Sequence, residues 1–312
     1  MTETFNSLSV VVPVYNDEEV IDELLRRLVA SCEQIKDTYE IILVNDGSKD
    51  ASWNRIKKQC LLNKHIIGIN LARNFGQQGA IAAGLFQTSG DVIVVMDSDL
   101  QDPPEYISKL IDAMFEHRCV MAVAQWKTRK DSFFKKTASR TYQNICNKLT
   151  SLRRVPRMGG FRAMRRSLIE ELKNFTENTS TIIGLIDYIG SNYVCVPLDR
   201  DERFAGESGY TIPKMFSLAL ASILSFSLAP IRFATYSGFV LCALSIIFAC
   251  YLTIRWYLGG VTPGWTSIIV AMTFLFGLTF AFMGILGEYI GRIFMETKRR
   301  PRFVIEEKFS RK

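Results

Sequence analysis

Two carboxylates separated by one residue follow an apolar run near the middle of the chain. Asp97-Ser98-Asp99 comes directly after V-I-V-V-M at residues 92–96, a run that is typical of a buried strand. Carboxylates at the end of such a strand can share one hard cation, because Mg²⁺ is commonly held by one or two carboxylates together with substrate phosphates. The pattern therefore predicts a site for a divalent metal and a diphosphate. A turn with two solvated aspartates is the alternative.

Alternating elements in the first 125 residues are expected to position this pair. Short apolar, β-rich runs cover residues 8–14, 39–44, 66–71, 92–96 and 120–124, and amphipathic runs cover residues 18–32, 50–62, 77–88 and 104–116. Such alternation predicts an α/β domain whose parallel sheet is covered by helices on both faces. In these sheets ligands bind beyond the carboxyl ends of the strands, where the strand order reverses.

Polar motifs fall at these strand ends. P-V-Y-N-D at 13–17 follows the first strand, N-D-G-S at 45–48 the second, and A-R-N-F-G at 72–76 the third. Asp46 could accept hydrogen bonds from a uracil edge or a ribose hydroxyl, and Arg73 could face a phosphate, although Asp-Gly-Ser is also a common turn sequence. No G-x-G-x-x-G follows the first strand and no G-x-x-x-x-G-K-[ST] occurs, so the nucleotide site is predicted to consist of side chains and a metal.

Two long apolar stretches in the last third predict membrane-spanning helices. Residues 233–258 carry one charge, Arg255, and residues 265–287 carry none, so each stretch is long enough to cross a bilayer core of about 30 Å. The link at 259–264 has no Lys or Arg, whereas both outer flanks are basic. The positive-inside rule therefore predicts a multi-pass inner (plasma) membrane protein with both termini and the α/β domain in the cytoplasm. The first residues do not resemble a signal peptide.

The net charge of +7 is concentrated in one block. Residues 127–166 contain thirteen Lys or Arg and a single acid, Asp131. A solvated helical face is one interpretation. Beside two membrane helices, the block is instead expected to face anionic headgroups or a phosphate-bearing substrate. No nucleic-acid partner is expected, because no recognised binding module or interleaved aromatic pattern accompanies the block.

Two further segments lie between the α/β domain and the spans. The polar, glycine-bearing stretch 201–210 is either a flexible lid over the substrate or an ordinary linker. The uncharged stretch 215–229 is too short to span a bilayer and is expected to lie in the interface or to pack beneath the spanning helices. The predicted organisation is thus a catalytic domain at 1–210, an interfacial amphipathic region at 211–232, two spans within 233–290 and a basic cytoplasmic tail at 291–312.

Together these motifs resemble the polyprenyl-phosphate glycosyltransferases of glycosyltransferase family 2, which include dolichyl-phosphate mannose synthase and bactoprenol glucosyltransferase relatives. The resemblance covers nearly the whole chain. The motifs that carry it are V-V-P-V-Y-N-D-E-E at 11–19, N-D-G-S-K-D at 45–50, L-A-R-N-F-G at 71–76, M-D-S-D-L-Q-D-P-P at 96–104, R-F-A-G-E-S at 203–208 and L-G-E-Y-I-G-R-I at 286–293. The resemblance implies a GT-A fold and a requirement for Mg²⁺ or Mn²⁺. It also implies inverting transfer of a sugar from a nucleotide sugar onto undecaprenyl phosphate or another polyprenyl phosphate. The default sugar is glucose, and the favoured nucleotide is UDP.

The resemblance also implies roles for individual residues. Asp97 would contact the nucleotide and the metal, and Asp99 would be the principal metal ligand. Gln101 and Asp102 could orient the acceptor or the sugar. The residues that would line the nucleotide pocket are Pro13, Tyr15, Asp17 and Asp46, with Arg73 beside them. The residues that would bind phosphate from the lid are Arg203 and Ser208.

Two departures from the family pattern affect these roles. Relatives often carry an acid in a segment like D-x-G-D-F-R, but residues 157–162 read R-M-G-G-F-R. A phosphate monoester has a second pKa of about 6, so the lipid phosphate is already deprotonated and needs no general base. We therefore expect Arg157 and Arg162 to hold the acceptor phosphate. Gly209 stands where relatives often have Lys, which removes a charge from the lid.

Other functions and assemblies remain open at this point. A processive polysaccharide synthase shares the nucleotide-sugar domain, but Q-x-x-R-W is absent and only two spans are predicted. A catalytically inactive membrane scaffold would fit the missing acid near 157–160, whereas the Asp97/Asp99 pair and Arg203 argue against it. Two thin helices would pack better in an oligomer, so a homo-oligomer is expected, with a tetramer as the candidate stoichiometry.

Overall fold

An eight-stranded mixed sheet forms the centre of the structure, a computed structural model that describes residues 5–126, 158–175, 177, 181–189, 192–199, 229–258 and 264–311. The strands are β1 Leu8–Val14, β2 Tyr39–Asn45, β3 Ile66–Leu71, β4 Val92–Val95, β5 Met121–Trp126, β6 Met158–Arg165, β7 Tyr193–Leu198 and β8 Ile305–Ser310. The α-helices are α1 Ile21–Ile35, α2 Ser52–Leu62, α3 Gln77–Leu85, α4 Ile107–Glu116, α5 Arg166–Lys173, α6 Ile182–Ile189, α7 Ala229–Tyr257 and α8 Trp265–Thr297, and one 3₁₀ turn covers Pro104–Tyr106.

The strand order is β7-β5-β6-β4-β1-β2-β3-β8. Strand β1 pairs in parallel with both β2 and β4, and β2 pairs in parallel with β3, as the alternating pattern predicts. The sheet is not wholly parallel, however, because β6 inserts antiparallel between β4 and β5. The chain thus runs outward from β1 to β3 and returns to β4 on the other side of β1. The strand order reverses between β1 and β4.

Strand β1 is buried along its whole length, which explains its nearly continuous apolar sequence. Its side chains alternate between two separate cores. Val10 and Val12 pack in the core that α1 and α4 cover, whereas Val11 packs in the core that α3, α5 and α6 cover. Helix α3 lies close to this second face, where Gly84 leaves no room for a Cβ beside Val11. Helices on both faces of the sheet confirm the predicted layer arrangement.

The C-terminal segment completes the sheet. Strand β8 pairs antiparallel with β3 at the edge of the sheet, and Phe309 lies opposite Gly68. The Trp53 indole donates a hydrogen bond to Glu307 at 3.2 Å, and the Ala72 N–H donates to the Val304 carbonyl at 3.0 Å. Residues 291–312, predicted as a tail, therefore contain a strand of the sheet. Charges dominate I-E-E-K-F-S because an edge strand needs them to avoid pairing with other chains.

Helices α7 and α8 are long and apolar, with candidate membrane spans at Ile231–Phe248 and Phe274–Thr297. Neither span is buried in the structure, which distinguishes both helices from the core helices of a soluble domain. Their apolar surface is consistent with the two predicted spans at 233–258 and 265–287. Helix α8 extends ten residues beyond the predicted end, since it continues to Thr297. The predicted interfacial region at 211–232 lies outside the described residues up to residue 228.

Candidate active site

The loops after β1 and β4 meet at the point where the strand order reverses. The Ser98 hydroxyl donates a hydrogen bond of 2.5 Å to the Asp17 carboxylate. Asp17 follows β1 and Ser98 follows β4, and these two strands are direct neighbours. Because ligands of open α/β sheets bind at such reversals, the crevice between these loops is the candidate active site.

The loops after β1 and β2 are joined as well. The Asn16 N–H donates to the Ser48 hydroxyl at 3.0 Å, and the Lys49 N–H donates to the Asn16 side-chain oxygen at 2.9 Å. The Asp17 N–H donates to the Ser52 hydroxyl at 3.1 Å. Asn16 has a φ of 53°, a left-handed conformation that asparagine tolerates better than most residues. These bonds leave an open cleft beside Asp17, lined by residues 16–20, Lys49 and Asp50.

Asp97 lies between α3 and β6. The Gln77 side-chain amide donates to Asp97 Oδ1 at 2.7 Å. On the other side, a Cβ placed on Gly160 would lie 3.9 Å from both carboxylate oxygens, so the β6 backbone passes close to Asp97. Gln77 was not among the predicted site residues, although it directly follows the motif at 71–76.

Asp99 lies on a strained turn. Its carboxylate accepts a hydrogen bond from the Gln101 N–H at 3.2 Å, and the intervening Leu100 has a φ of 57°. A buried leucine rarely adopts this left-handed conformation, so the surrounding structure must hold it there. Asp102, two residues beyond Leu100, is 1% exposed. The strain lies directly beside the predicted metal ligand.

The pKa values of two site carboxyls are raised. Burial is the main cause of the raised pKa of Asp17, and the nearby Asp99 and Asp50 charges add to it, whereas the Ser98 hydrogen bond acts in the opposite direction. Burial likewise raises the pKa of Asp46, against the hydrogen bonds that its carboxylate accepts from the backbone of Phe75 and Gly76. The folded protein therefore pays a desolvation cost to keep these two carboxylates ionised.

Asp46 joins the loops after β2 and β3. Asp46 is 3% exposed, and its carboxylate accepts the Phe75 N–H at 2.7 Å. Gly47 follows with a φ of 64°, and a Cβ there would lie 2.5 Å from the Asn74 backbone nitrogen, so glycine is required. Asp46 thus holds the loop that carries Arg73.

The remaining predicted nucleotide residues differ in exposure. Pro13 is buried within β1, whereas Tyr15 is 44% exposed at the end of that strand. The Arg73 side chain is exposed, and its guanidinium lies 4.7 Å from the centre of the Phe75 ring. Tyr15 and Arg73 are therefore accessible to a ligand, but Pro13 can contribute only through its backbone or its ring edge.

Arg162 is not placed as expected for an acceptor-binding residue. Its side chain is 2% exposed and forms a 2.7 Å ion pair with Asp187 of α6. The same guanidinium donates to the Gly159 and Gly160 carbonyls at 3.1 and 3.3 Å. This burial argues against the predicted contact with a lipid phosphate, so we correct the role of Arg162 to support of the glycine pair beside Asp97. Arg157, Arg203 and Ser208 lie outside the described residues.

Asp187 was not predicted, although its sequence context held a signal. It is the only charged residue in I-I-G-L-I-D-Y-I, the sequence of α6. A carboxylate in such an apolar helix is rarely buried unless it is paired. The sequence thus indicated a buried partner, but the identity of that partner depends on the packing of α6 against β6.

The metal ligands predicted from the sequence are the carboxylates of Asp97 and Asp99, which both lie in the described residues. No group of three or more His, Cys, Asp or Glu side chains converges within the part of the chain that the structure describes. A site for Mg²⁺ or Mn²⁺ in a nucleotide enzyme does not require such a group, because substrate phosphates and water supply the remaining oxygens. The carboxylates of Asp97 and Asp99 therefore fit an ion of this kind.

Comparisons with known proteins agree with this arrangement. The family model described as "Glycosyl transferase family 2" matches residues 9–173. Bactoprenol glucosyl transferase of Shigella phage SfX is 34% identical over 96% of this chain and 99% of its own length. Undecaprenyl-phosphate 4-deoxy-4-formamido-L-arabinose transferase of Proteus mirabilis is 35% identical over 98% of this chain and 94% of its own length.

Solved structures share the fold at low sequence identity. Glucosyl-3-phosphoglycerate synthase from Mycobacterium tuberculosis, crystallised with Mn²⁺, UDP and phosphoglyceric acid, has a TM-score of 0.51 at 19% identity, covering 70% of this chain and 78% of its own. Mannosyl-3-phosphoglycerate synthase from Rubrobacter xylanophilus has a TM-score of 0.52 at 14% identity, covering 70% and 72%. The GT-A fold predicted from the sequence is confirmed. More than half of the chain matches the family model, and the chain therefore belongs to glycosyl transferase family 2.

Proposed function

We propose that this glycosyltransferase moves a sugar from a nucleotide sugar onto polyprenyl phosphate at the cytoplasmic face of the inner membrane. The observation that carries the proposal is the meeting of the loops after β1 and β4, where Ser98 donates to the Asp17 carboxylate and the Asp99 charge acts on Asp17, in a domain that continues into two exposed apolar helices. Two full-length relatives, named for bactoprenol and undecaprenyl phosphate, support this acceptor class.

The donor would bind across the crevice between β1 and β4. In this proposal Asp46 and Tyr15 would face the nucleoside. The exposed Arg73 guanidinium would approach a phosphate, since it forms no ion pair within the described residues. Asp97 and Asp99 would hold Mg²⁺ or Mn²⁺, which when bound would neutralise charge on the departing nucleoside diphosphate. Because this charge develops in the transition state, its stabilisation by the metal would raise the rate of transfer.

The acceptor phosphate needs no general base. A lipid phosphate oxygen would attack the anomeric carbon while the bond to the nucleoside diphosphate breaks, which inverts the configuration. The phosphate monoester has a second pKa of about 6 and is already a nucleophile at cytoplasmic pH. We assign acceptor binding to Arg157 and to the lid residues Arg203 and Ser208, and we exclude Arg162 from direct contact because it is buried against Asp187.

The membrane helices would bring the lipid to this crevice. In this proposal residues 1–210 and β8 form the catalytic domain, residues 211–232 lie in the interface, and α7 and α8 cross the bilayer. The basic block at 127–166 would face anionic headgroups. A pair of membrane helices would gain packing partners in a homo-oligomer, and a tetramer is the first stoichiometry to test.

A donor panel tests the proposal. Purified full-length protein would be incubated with undecaprenyl phosphate, Mn²⁺ or Mg²⁺, and radiolabelled UDP- and GDP-sugars. We expect label in a lipid-linked monosaccharide, with UDP-glucose as the best donor and a 4-amino-arabinose derivative as the second candidate. A labelled polymer would favour the processive synthase, and nucleotide binding without transfer from any donor would favour the inactive scaffold.

A further inference from the structure

The Asp97 carboxylate is held by a side chain that none of the sequence motifs includes. Gln77 Nε2 lies 2.7 Å from Asp97 Oδ1. A carboxylate only accepts hydrogen bonds, so the Gln77 amide must present its NH₂ group to it. The direction of this hydrogen bond is therefore fixed: Gln77 donates it and Asp97 accepts it. On the opposite side, a Cβ placed on Gly160 would lie 3.9 Å from both carboxylate oxygens.

The backbone that carries Gln77 is fixed at several points. Gln77 is the first residue of α3, and the loop before it is held by the Phe75 N–H on Asp46 and by the Ala72 N–H on the Val304 carbonyl. The next side chain, Gln78, accepts the Ile183 N–H at 3.1 Å. Helix α3 itself is buried from Gly79 to Leu85. The amide thus projects toward Asp97 from a rigid support.

We propose that Gln77 is a positioning residue that orients Asp97 toward the metal-bound diphosphate of the donor. This inference rests on the proposed function. Carboxylates that bind metal ions are commonly held by outer hydrogen bonds, and loss of such a partner typically costs about 10–100-fold in metal affinity or activity. A fixed Asp97 loses less side-chain entropy when the ion binds.

Gln77 is well suited to a test because a purely structural role makes the opposite prediction. The side chain is exposed, so its truncation leaves no cavity and has little effect on folding. If the hydrogen bond only stabilised the first turn of α3, the affinity for the metal would not change. If Gln77 orients Asp97, metal affinity falls while the thermal stability of the metal-free protein is retained.

The chain provides a matched control for this hydrogen bond. Gln59 Nε2 donates to Asp22 Oδ1 at 2.6 Å on the exposed surface between α1 and α2. Gln59→Ala therefore removes the same type of bond at a place outside the crevice. Gln77→Asn provides a second variant, because it keeps the amide but shortens the side chain by one methylene.

The experiment measures binding of Mn²⁺ to full-length protein in detergent by titration with paramagnetic resonance detection, with UDP present. We expect Gln77→Ala and Gln77→Asn to weaken Mn²⁺ binding by about 10–100-fold. Gln59→Ala should bind like the wild type, and the melting temperatures without metal should agree. Mn²⁺ affinities of both Gln77 variants within twofold of wild type would overturn the inference.

Activity measurements separate this inference from the proposed function. If the wild type forms lipid-linked sugar and binds Mn²⁺ but the Gln77 variants do so equally well, only the positioning role fails. If the wild type neither binds Mn²⁺ with UDP nor forms lipid-linked sugar, the proposed function fails and the inference fails with it.

Discussion

Apolar side chains are buried in the sheet domain but exposed on the two long helices. In the sheet, Val10, Val11 and Val12 are completely buried. In the helices, Phe239 and Phe280 are each 70% exposed. Both regions are rich in apolar residues, so composition alone does not explain the difference. The sheet supplies its own apolar surroundings, whereas the helices need surroundings that the described chain does not provide, and a bilayer would provide them.

The polar residues differ between the two regions in a complementary way. The carboxylates of Asp17, Asp46 and Asp97 lie in the loops at the carboxyl ends of β1, β2 and β4, where each accepts defined hydrogen bonds. The candidate spans hold few charged residues, and those of the second span, Glu288, Arg292 and Glu296, lie in its C-terminal part. The chemistry is therefore expected to depend on the loops at the carboxyl ends of the parallel strands, and membrane attachment is expected to depend on the two long helices. Substitutions in one region should leave the other property unchanged.

The largest expected effect is on transfer. Asp99→Ala should lower the rate of lipid-linked sugar formation by at least about 100-fold, because a metal supplies several kcal/mol of stabilisation in the transition state. Recovery of the variant in membranes should equal that of the wild type. Asp112→Ala, which removes an exposed carboxylate on α4, is the control. Activity of Asp99→Ala close to that of this control would show that the chemistry does not depend on the carboxylate in the loop after β4.

The next effect concerns membrane insertion. Phe280→Arg should destabilise the inserted state of α8 by about 3 kcal/mol, since arginine at the centre of a span is costly. Leu62→Arg is the matched control, because Leu62 is also exposed, at 65%, but lies on α2 of the sheet domain. The fraction of protein that resists alkaline extraction from membranes should fall only for Phe280→Arg. Equal extraction of both variants would contradict a lipid-facing α8.

A smaller effect tests whether the sheet domain includes the segment beyond α8. Phe309 of β8 is partly buried against the core that α1 covers. Phe309→Ala should lower the free energy of unfolding of the sheet domain by about 1–3 kcal/mol, less than for a fully buried phenylalanine. Denaturant unfolding in detergent measures it, with Arg311→Ala as the exposed control. An unchanged unfolding midpoint would mean that β8 contributes nothing to the domain.

The smallest effect concerns the desolvated carboxylate of Asp17. Its pKa in the folded protein is raised above 3.8, so ionisation costs stability as the pH rises from 3.8 through the folded-state pKa, and the cost is complete above it. Asp17→Asn keeps an acceptor for Ser98 and removes this cost. We expect a slightly higher melting temperature near pH 7, with the gain disappearing below pH 3.8. A gain that is independent of pH would point to a cause other than ionisation.

Local sequence patterns were sufficient for much of the fold. Strands β1 to β4 follow from uninterrupted apolar runs, and the polar motifs after them fell at one edge because parallel strands share a direction. Strand β6 was not predicted, since M-G-G-F-R-A-M-R has neither a long apolar run nor clear alternation. Strand β8 was read as a tail because its charges suit an edge position as well as a solvated segment.

The candidate site was predictable where motifs are local and unpredictable where partners are distant. The Asp97/Asp99 spacing is visible in the sequence, and Asp46 precedes a glycine that its turn requires. The Arg162–Asp187 pair could not be read in the same way, because it joins residues 25 positions apart through the packing of α6. Arg162 was predicted to bind the acceptor phosphate because the sequence does not show that its side chain is buried.

The most direct test of the account compares two acceptors that differ only in the phosphate. Purified protein would be supplied with UDP-glucose, Mn²⁺ and either undecaprenyl phosphate or undecaprenol, and the lipids would be analysed by mass spectrometry. The account predicts addition of one hexose to undecaprenyl phosphate and none to undecaprenol, because the ionised phosphate is the nucleophile. Equal transfer to both lipids, or transfer to undecaprenol alone, would contradict it.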